Sequence, residues 1–232
     1  MKTLIVIGST GSIGEAVTRK LLKDGFRVLG VGRKASPFKD LSDNYTHYQI
    51  DLEKVSQTEK QFSSLIKDNS EIFGLVHCAG VGKFDNIENM SLSKIKELIN
   101  INLLSVIVVT KLLVPHLKSN NAGSLIYIGS EAGLKGAKKG SVYSASKFAL
   151  RGFAQSIREE TAKNNISVTI LNPGMIRGRF FDDKNFRPGK DEDNAIKVTD
   201  IAKLIAFIVK NRKGMILDEI NLSPTKKVIE FL

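Results

Sequence analysis

The 232-residue chain is 42% hydrophobic and 25% charged, with 19 Gly and 5 Pro, which is the composition of one folded globular domain and excludes a disordered or fibrous chain. Its single cysteine, Cys78, excludes an internal disulfide, and no apolar run, such as Leu4 to Ile7 or Val106 to Val109, approaches the roughly 20 residues of a spanning helix. A reducing, cytoplasmic setting without a membrane is therefore expected, and the formal charge of +11, spread without a dense basic block, reads as a solvated surface that attracts a small polyanion and not as a nucleic-acid site.

In chain order, short β-branched runs alternate with longer amphipathic stretches. Strands are predicted at Thr3–Ile7, Arg27–Val31, Thr46–Ile50, Gly74–Cys78, Ser124–Ile128, Ser167–Leu171 and Glu219–Leu222. Helices are predicted at Ile13–Lys23, Gln57–Lys67, Ser93–Ser119, Tyr143–Asn164 and Val198–Lys210, with Pro115 helping to close the third. Such alternation specifies an α/β fold: a doubly wound, Rossmann-type, parallel seven-stranded sheet with helices on both faces. One stretch breaks the pattern. Residues 177–194 are polar and charged without a clean period, yet carry Phe180, Phe181 and Phe186, the character of a functional lid.

The first strand runs into Gly8-Ser9-Thr10-Gly11-Ser12-Ile13-Gly14 and then directly into a helix. Small residues there let the backbone turn sharply and bring free N–H groups at a helix N-terminus against a pyrophosphate. A turn that only joins strand to helix fits the same letters. The second strand ends in Gly32-Arg33-Lys34, where a fold binding NAD carries an acid for the ribose 2′-hydroxyl. An Arg and a Lys suit a 2′-phosphate instead, hence NADP(H), although a solvated loop pair would read alike. Further on, Tyr143 and Lys147 stand at i and i+4 on one helix face, so a phenol lies beside a cation able to favour its phenolate.

Together these features resemble the short-chain dehydrogenase/reductase family. The resemblance runs through the glycine loop, Asp51 after the third strand, His77-Cys78-Ala79-Gly80 after the fourth, Asn102 in the long helix, and Gly129-Ser130 ending the fifth strand. It continues with Tyr143-x-x-x-Lys147 and with Pro173-Gly174 after the sixth strand. It implies an NADP(H)-dependent oxidoreductase that reduces a carbonyl or oxidises a secondary alcohol by hydride transfer. In that scheme Tyr143 is the acid/base, Lys147 lowers its pKa and holds the nicotinamide ribose, Ser130 stabilises the substrate oxygen, and Asn102 holds a water linking Lys147 to solvent. The coenzyme would lie along Gly8 to Gly14, Arg33, Lys34, Asp51, Leu52, Ala79, Gly80, Pro173, Gly174 and Ile176, with no metal.

Several departures stand out. Ser12 occupies a position that is glycine in many relatives, Gly178 one that is commonly threonine, and His77-Cys78 the place of paired asparagines. Cys78 reads as a small buried hydrophobe. For the substrate, Arg177, Arg179 and Lys184 suggest a carboxylate anchor, while Phe180 and Phe181 suggest an apolar pocket for an aromatic ketone. The ending Ile216–Pro224 is similar to that of relatives acting on 3-hydroxy acids and lacks the ending frequent in acyl-carrier-protein reductases. The partner is thus a small-molecule carbonyl or alcohol, and a homodimer or homotetramer packed through the two long helices is implied. The alternative is a catalytically silent coenzyme-binding redox sensor, which the intact Ser130, Tyr143, Lys147 and Asn102 argue against.

Overall fold

The computed structural model describes residues 1–36, 38, 43–210 and 214–232. Strand β1 (Thr3–Ile7) has all five residues buried, because the sheet is covered on both sides. Its side chains alternate between two cores: Leu4 and Val6 pack with Val17 and Leu21 of α1 (Ser12–Lys23), while Ile5 and Ile7 pack on the opposite face. The chain continues through β2 (Arg27–Gly32), β3 (Tyr45–Gln49), α2 (Val55–Lys67), β4 (Ile72–His77), α3 (Leu92–Ile99), α4 (Ser105–Ser119), β5 (Gly123–Ile128), α5 (Ser141–Thr161) and β6 (Ile166–Pro173). Then come the short β7 (Ile176–Arg177), β8 (Phe186–Pro188) and β9 (Ile196–Lys197), followed by α6 (Val198–Lys210), β10 (Glu219–Leu222) and β11 (Ile229–Phe231).

The main sheet has the order β10-β6-β5-β4-β1-β2-β3, with every pairing parallel. The seven predicted strands are therefore all present. Strand order reverses between β1 and β4, and the crevice at their carboxyl ends is where an open sheet of this kind binds its ligand. Helices α2, α4 and α5 cover one face, and α1 and α6 the other.

The long helix differs from expectation in three respects. First, α3 and α4 are joined by a π-helical turn, Asn100–Leu104, which puts one wide turn where Asn102 sits. Second, Pro115 does not close the helix but lies inside α4; Leu113 and Leu117 are fully buried on either side, and that packing carries the chain a further turn. Third, the continuous helical span Leu92–Ser119 is long and apolar enough, on length and hydropathy alone, to cross a membrane, contrary to the reading from apolar runs. Here Val106, Val109, Leu113 and Leu117 pack it against the sheet.

Tight backbone contacts fix the crevice. A Cβ on Gly14 would fall 2.1 Å from the Gly8 carbonyl oxygen, and one on Gly8, whose φ is +77°, would fall 2.8 Å from the Ala79 nitrogen. Neither neighbour is a side chain that could swing away. Gly14→Ala is therefore expected to cost about 3 kcal/mol, seen in a thermal melt as a midpoint roughly 6–12 °C lower, together with loss of nucleotide binding.

Candidate active site

At the glycine loop, Gly11 donates its N–H to the Gly8 carbonyl at 2.9 Å, and α1 begins at Ser12 with no side chain capping its N-terminus. The amides there remain directed at the crevice, the arrangement that suits an anion. Arg33 and Lys34 follow β2 at the edge of the same opening; among the described residues neither side chain has a carboxylate or other hydrogen-bond partner. Asp51, Leu52, Ala79 and Gly80 continue the wall, and Pro173, Gly174 and Ile176 close its far side. The resulting cavity measures about 1230 Å³. Of the expected catalytic and coenzyme residues, Ser9 and Asn102 are not on its wall. Ser9 is fully buried and donates its hydroxyl to the Val31 carbonyl at 3.3 Å, so its side chain ties the loop to β2. Asn102 lies just behind.

Tyr143 and Lys147 share one face of α5 near the middle of the cavity, opposite Ser130 at the end of β5. The Ser130 hydroxyl faces the Tyr143 phenol closely enough to lower its pKa, and Ser130 Oγ accepts the Ala132 N–H at 3.1 Å. Burial pushes the phenol above its ordinary pKa; the Ser130 hydroxyl opposes that rise and the Glu131 carboxylate adds to it. Lys147 is itself buried, which pulls its pKa down from 10.5 to about 8, and its ammonium donates to the Ile128 carbonyl at 2.9 Å. Its Nζ lies 5.9 Å from the centre of the tyrosine ring. Asn102 holds both backbone groups of Val81, accepting from N–H at 2.8 Å and donating to the carbonyl at 2.9 Å, and also reaches Ser146 Oγ at 3.2 Å. Its amide thus pins the loop after β4.

Residues 2–187 match the sequence model of the family described as short chain dehydrogenase. The chain belongs to that family. Its relatives include 3-oxoacyl-acyl-carrier-protein reductase FabG of Buchnera aphidicola, 29% identical over 188 residues, or 79% of this chain and 77% of that one. The NADP-dependent 3-hydroxy acid dehydrogenase YdfG of Shigella flexneri is 27% identical over 217 residues, 88% of each chain. Among solved structures, the alcohol dehydrogenase of Thermococcus sibiricus complexed with 5-hydroxy-NADP has the same fold, with a TM-score of 0.86 at 22% identity over 98% of this chain and 99% of that one.

This short-chain dehydrogenase uses its departures from the family pattern structurally. His77 is buried with no partner for Nε2 among the described residues; burial first, and the Lys147 charge second, push its pKa down to about 3, so the imidazole is neutral. Cys78 lines the cavity, but burial pushes its thiol up to about 12 and leaves it unreactive at neutral pH. The carboxylate anchor suggested by Arg177, Arg179 and Lys184 does not form. Arg177 donates to the carbonyls of Gly189, Lys190 and Asp191, bracing the segment from within. Arg179 lies on the glycine loop, and Lys184 pairs with Asp183 beside the Phe180 ring.

What does face Tyr143 is aromatic. The Phe84 ring centre is 5.2 Å from that of Tyr143 and 5.1 Å from that of Phe186, and Phe180 stands 6.1 Å from Tyr143. Phe181 completes the group 5.0 Å from Phe180. Gly82 has no side chain because a Cβ there would meet Phe180 at 2.5 Å. The C-terminal β11 pairs antiparallel with β8 and brings Ile229 and Phe231 to the cavity wall. Phe84 and β11 escape a reading of the sequence alone, since neither belongs to a periodic element; the glycine two residues before Phe84 is the only local sign.

Proposed function

We propose that the chain is an NADP(H)-dependent oxidoreductase that interconverts a carbonyl compound of apolar, preferably aromatic, body and the corresponding secondary alcohol. The observation that carries this reading is that one cavity has an uncapped glycine loop at one end, with two basic side chains that are unpaired among the described residues, and the Ser130–Tyr143 pair inside an aromatic wall at the other. When bound, the coenzyme supplies or accepts the hydride. Gly8 to Gly14 would hold its pyrophosphate through backbone amides, Arg33 and Lys34 its 2′-phosphate, Asp51, Leu52 and the Ala79-Gly80 backbone its adenosine, and Lys147 with Pro173, Gly174 and Ile176 its nicotinamide half.

The chain's own chemistry is proton handling at the substrate oxygen. Burial keeps Tyr143 protonated at neutral pH, so the phenol donates to the oxygen during reduction, and Ser130 hydrogen-bonds that oxygen as charge builds on it. The residues of 177–194 act as a lid that excludes water with Phe180, Phe181 and Phe186, and the whole chain works as one catalytic domain. Leu104, at the end of the π turn before α4, and Phe148 on α5 are both exposed and suit packing against a second copy.

The coenzyme assignment is tested by Arg33→Ala. Removing the guanidinium should raise the Kd for NADPH by about 10- to 100-fold and leave that for NADH nearly unchanged. Equal losses for the two coenzymes would refute the 2′-phosphate role.

A further inference from the structure

The first residues of the 177–194 segment rest on the glycine loop through one reciprocal contact. Ser12 Oγ accepts the Arg179 backbone N–H at 3.0 Å and faces its Nε at 3.4 Å. On the other side, a Cβ at residue 178 would fall 2.9 Å from Ser12 Cβ and 3.0 Å from its Oγ. Gly178 has a φ of 177°, extended backbone open to any residue, so space and not backbone freedom demands glycine there. The serine in the loop and the absent side chain in the segment thus fit each other. From this seat the Arg179 guanidinium reaches back to the Thr10 carbonyl at 2.9 Å and to Glu15 at 3.4 Å, although its side chain is 61% exposed.

We propose that Ser12 and Gly178 form a clasp that docks the lid on the glycine loop and delivers Arg179 to the coenzyme pyrophosphate. The inference rests on the coenzyme reading above and adds to it a binding residue from outside the loop. A guanidinium already within reach of Thr10 and Ser12 needs only to exchange a neutral carbonyl for a phosphate oxygen, a stronger acceptor and one it can bind with two parallel N–H groups. Glu15 does not oppose this strongly, because Arg19 already pairs with it at 3.1 Å. The loop's backbone amides supply dipoles only; Arg179 supplies a full charge. Because the charge arrives on the lid, coenzyme binding and lid docking reinforce one another.

The test measures NADPH affinity by reduced-nicotinamide fluorescence, at low and high salt, and amide exchange at Arg179 without added NADPH. Arg179→Ala should weaken binding about 10- to 100-fold and flatten its salt dependence, and Arg179→Lys should recover only part of the loss. Gly178→Thr should weaken binding through the clash with Ser12, and the double variant S12G/G178T should bind more tightly than Gly178→Thr alone. Ser12→Gly should speed exchange of the Arg179 amide, which loses its acceptor. An NADPH affinity untouched in Arg179→Ala overturns the pyrophosphate contact. Unchanged exchange in Ser12→Gly, or no recovery in the double variant, overturns the clasp. A wild-type protein that binds no NADPH would instead refute the coenzyme reading, with exchange still deciding the clasp.

Discussion

Tyr143→Phe is expected to leave a folded protein with kcat about 10²- to 10⁴-fold lower on any accepted ketone, the range that a positioned general acid contributes. The phenylalanine retains the ring contacts with Phe84 and Phe180, so the aromatic wall and the thermal midpoint should be preserved. NADPH affinity should change little. The pH dependence follows from the sign of the shift: burial raises the phenol above its ordinary value, so the proton-donating form persists through neutral pH. Reduction should therefore hold steady across neutral pH and fall only as pH climbs through that raised value. Steady-state rates of the variant, with binding and melting measured in parallel, decide the matter; full retention of kcat would remove Tyr143 from the reaction.

Lys147→Met is expected to abolish turnover and yet make the protein more stable at pH 7. A buried ammonium whose pKa falls from 10.5 to about 8 is penalised in the folded state. At about 1.4 kcal/mol per unit, the penalty is about 3 kcal/mol. It applies in full below about pH 8, where folded and unfolded chains both carry the proton, and it fades as pH rises toward 10.5, where both have lost it. Methionine fills a similar volume without the charge, but it forfeits the hydrogen bond to the Ile128 carbonyl, a bond worth about 1–2 kcal/mol. The net gain of about 1–2 kcal/mol should raise the melting midpoint at pH 7 by roughly 2–8 °C. That advantage should shrink in melts run at higher pH. A midpoint that falls at pH 7 would mean the ammonium is a net support of the fold and not a group held there at a cost for function.

The fold was legible because a sheet covered on both faces writes itself as apolar runs. β1 is buried along its whole length, and the seventh strand of the main sheet, Glu219–Leu222, lies where the sequence places it. Strand ends elsewhere differ by one or two residues, as at Tyr45–Gln49, since half-buried ends carry no apolar signal. The π turn at Asn100–Leu104 left no mark in the helical period, and Pro115 read as a stop because propensity is local whereas Leu113 and Leu117 are held by the core.

In the site, residues whose backbone does the work were readable from spacing: the glycine loop apart from Ser9, Ala79-Gly80 and Pro173-Gly174 all line the cavity. Residues whose side chains choose among partners were not. Ser9 turns inward to Val31, Asn102 clamps Val81, and Arg177 braces three carbonyls, each an outcome of tertiary geometry that sequence spacing does not encode. The departures at 12 and 178 look independent along the chain and become one contact only when the segment folds back on the loop.

Hydride transfer between NADPH and a carbonyl carbon beside Tyr143 is the proposed reaction. It is tested most directly by incubating the wild-type protein with NADPH deuterated at the transferring face and a panel of aryl alkyl ketones, then locating the label by mass spectrometry. One deuterium is expected on the carbinol carbon of the product for each NADPH oxidised. Tight NADPH binding with no label on any carbinol, across aromatic and aliphatic ketones alike, would contradict it and leave a coenzyme-binding sensor in its place.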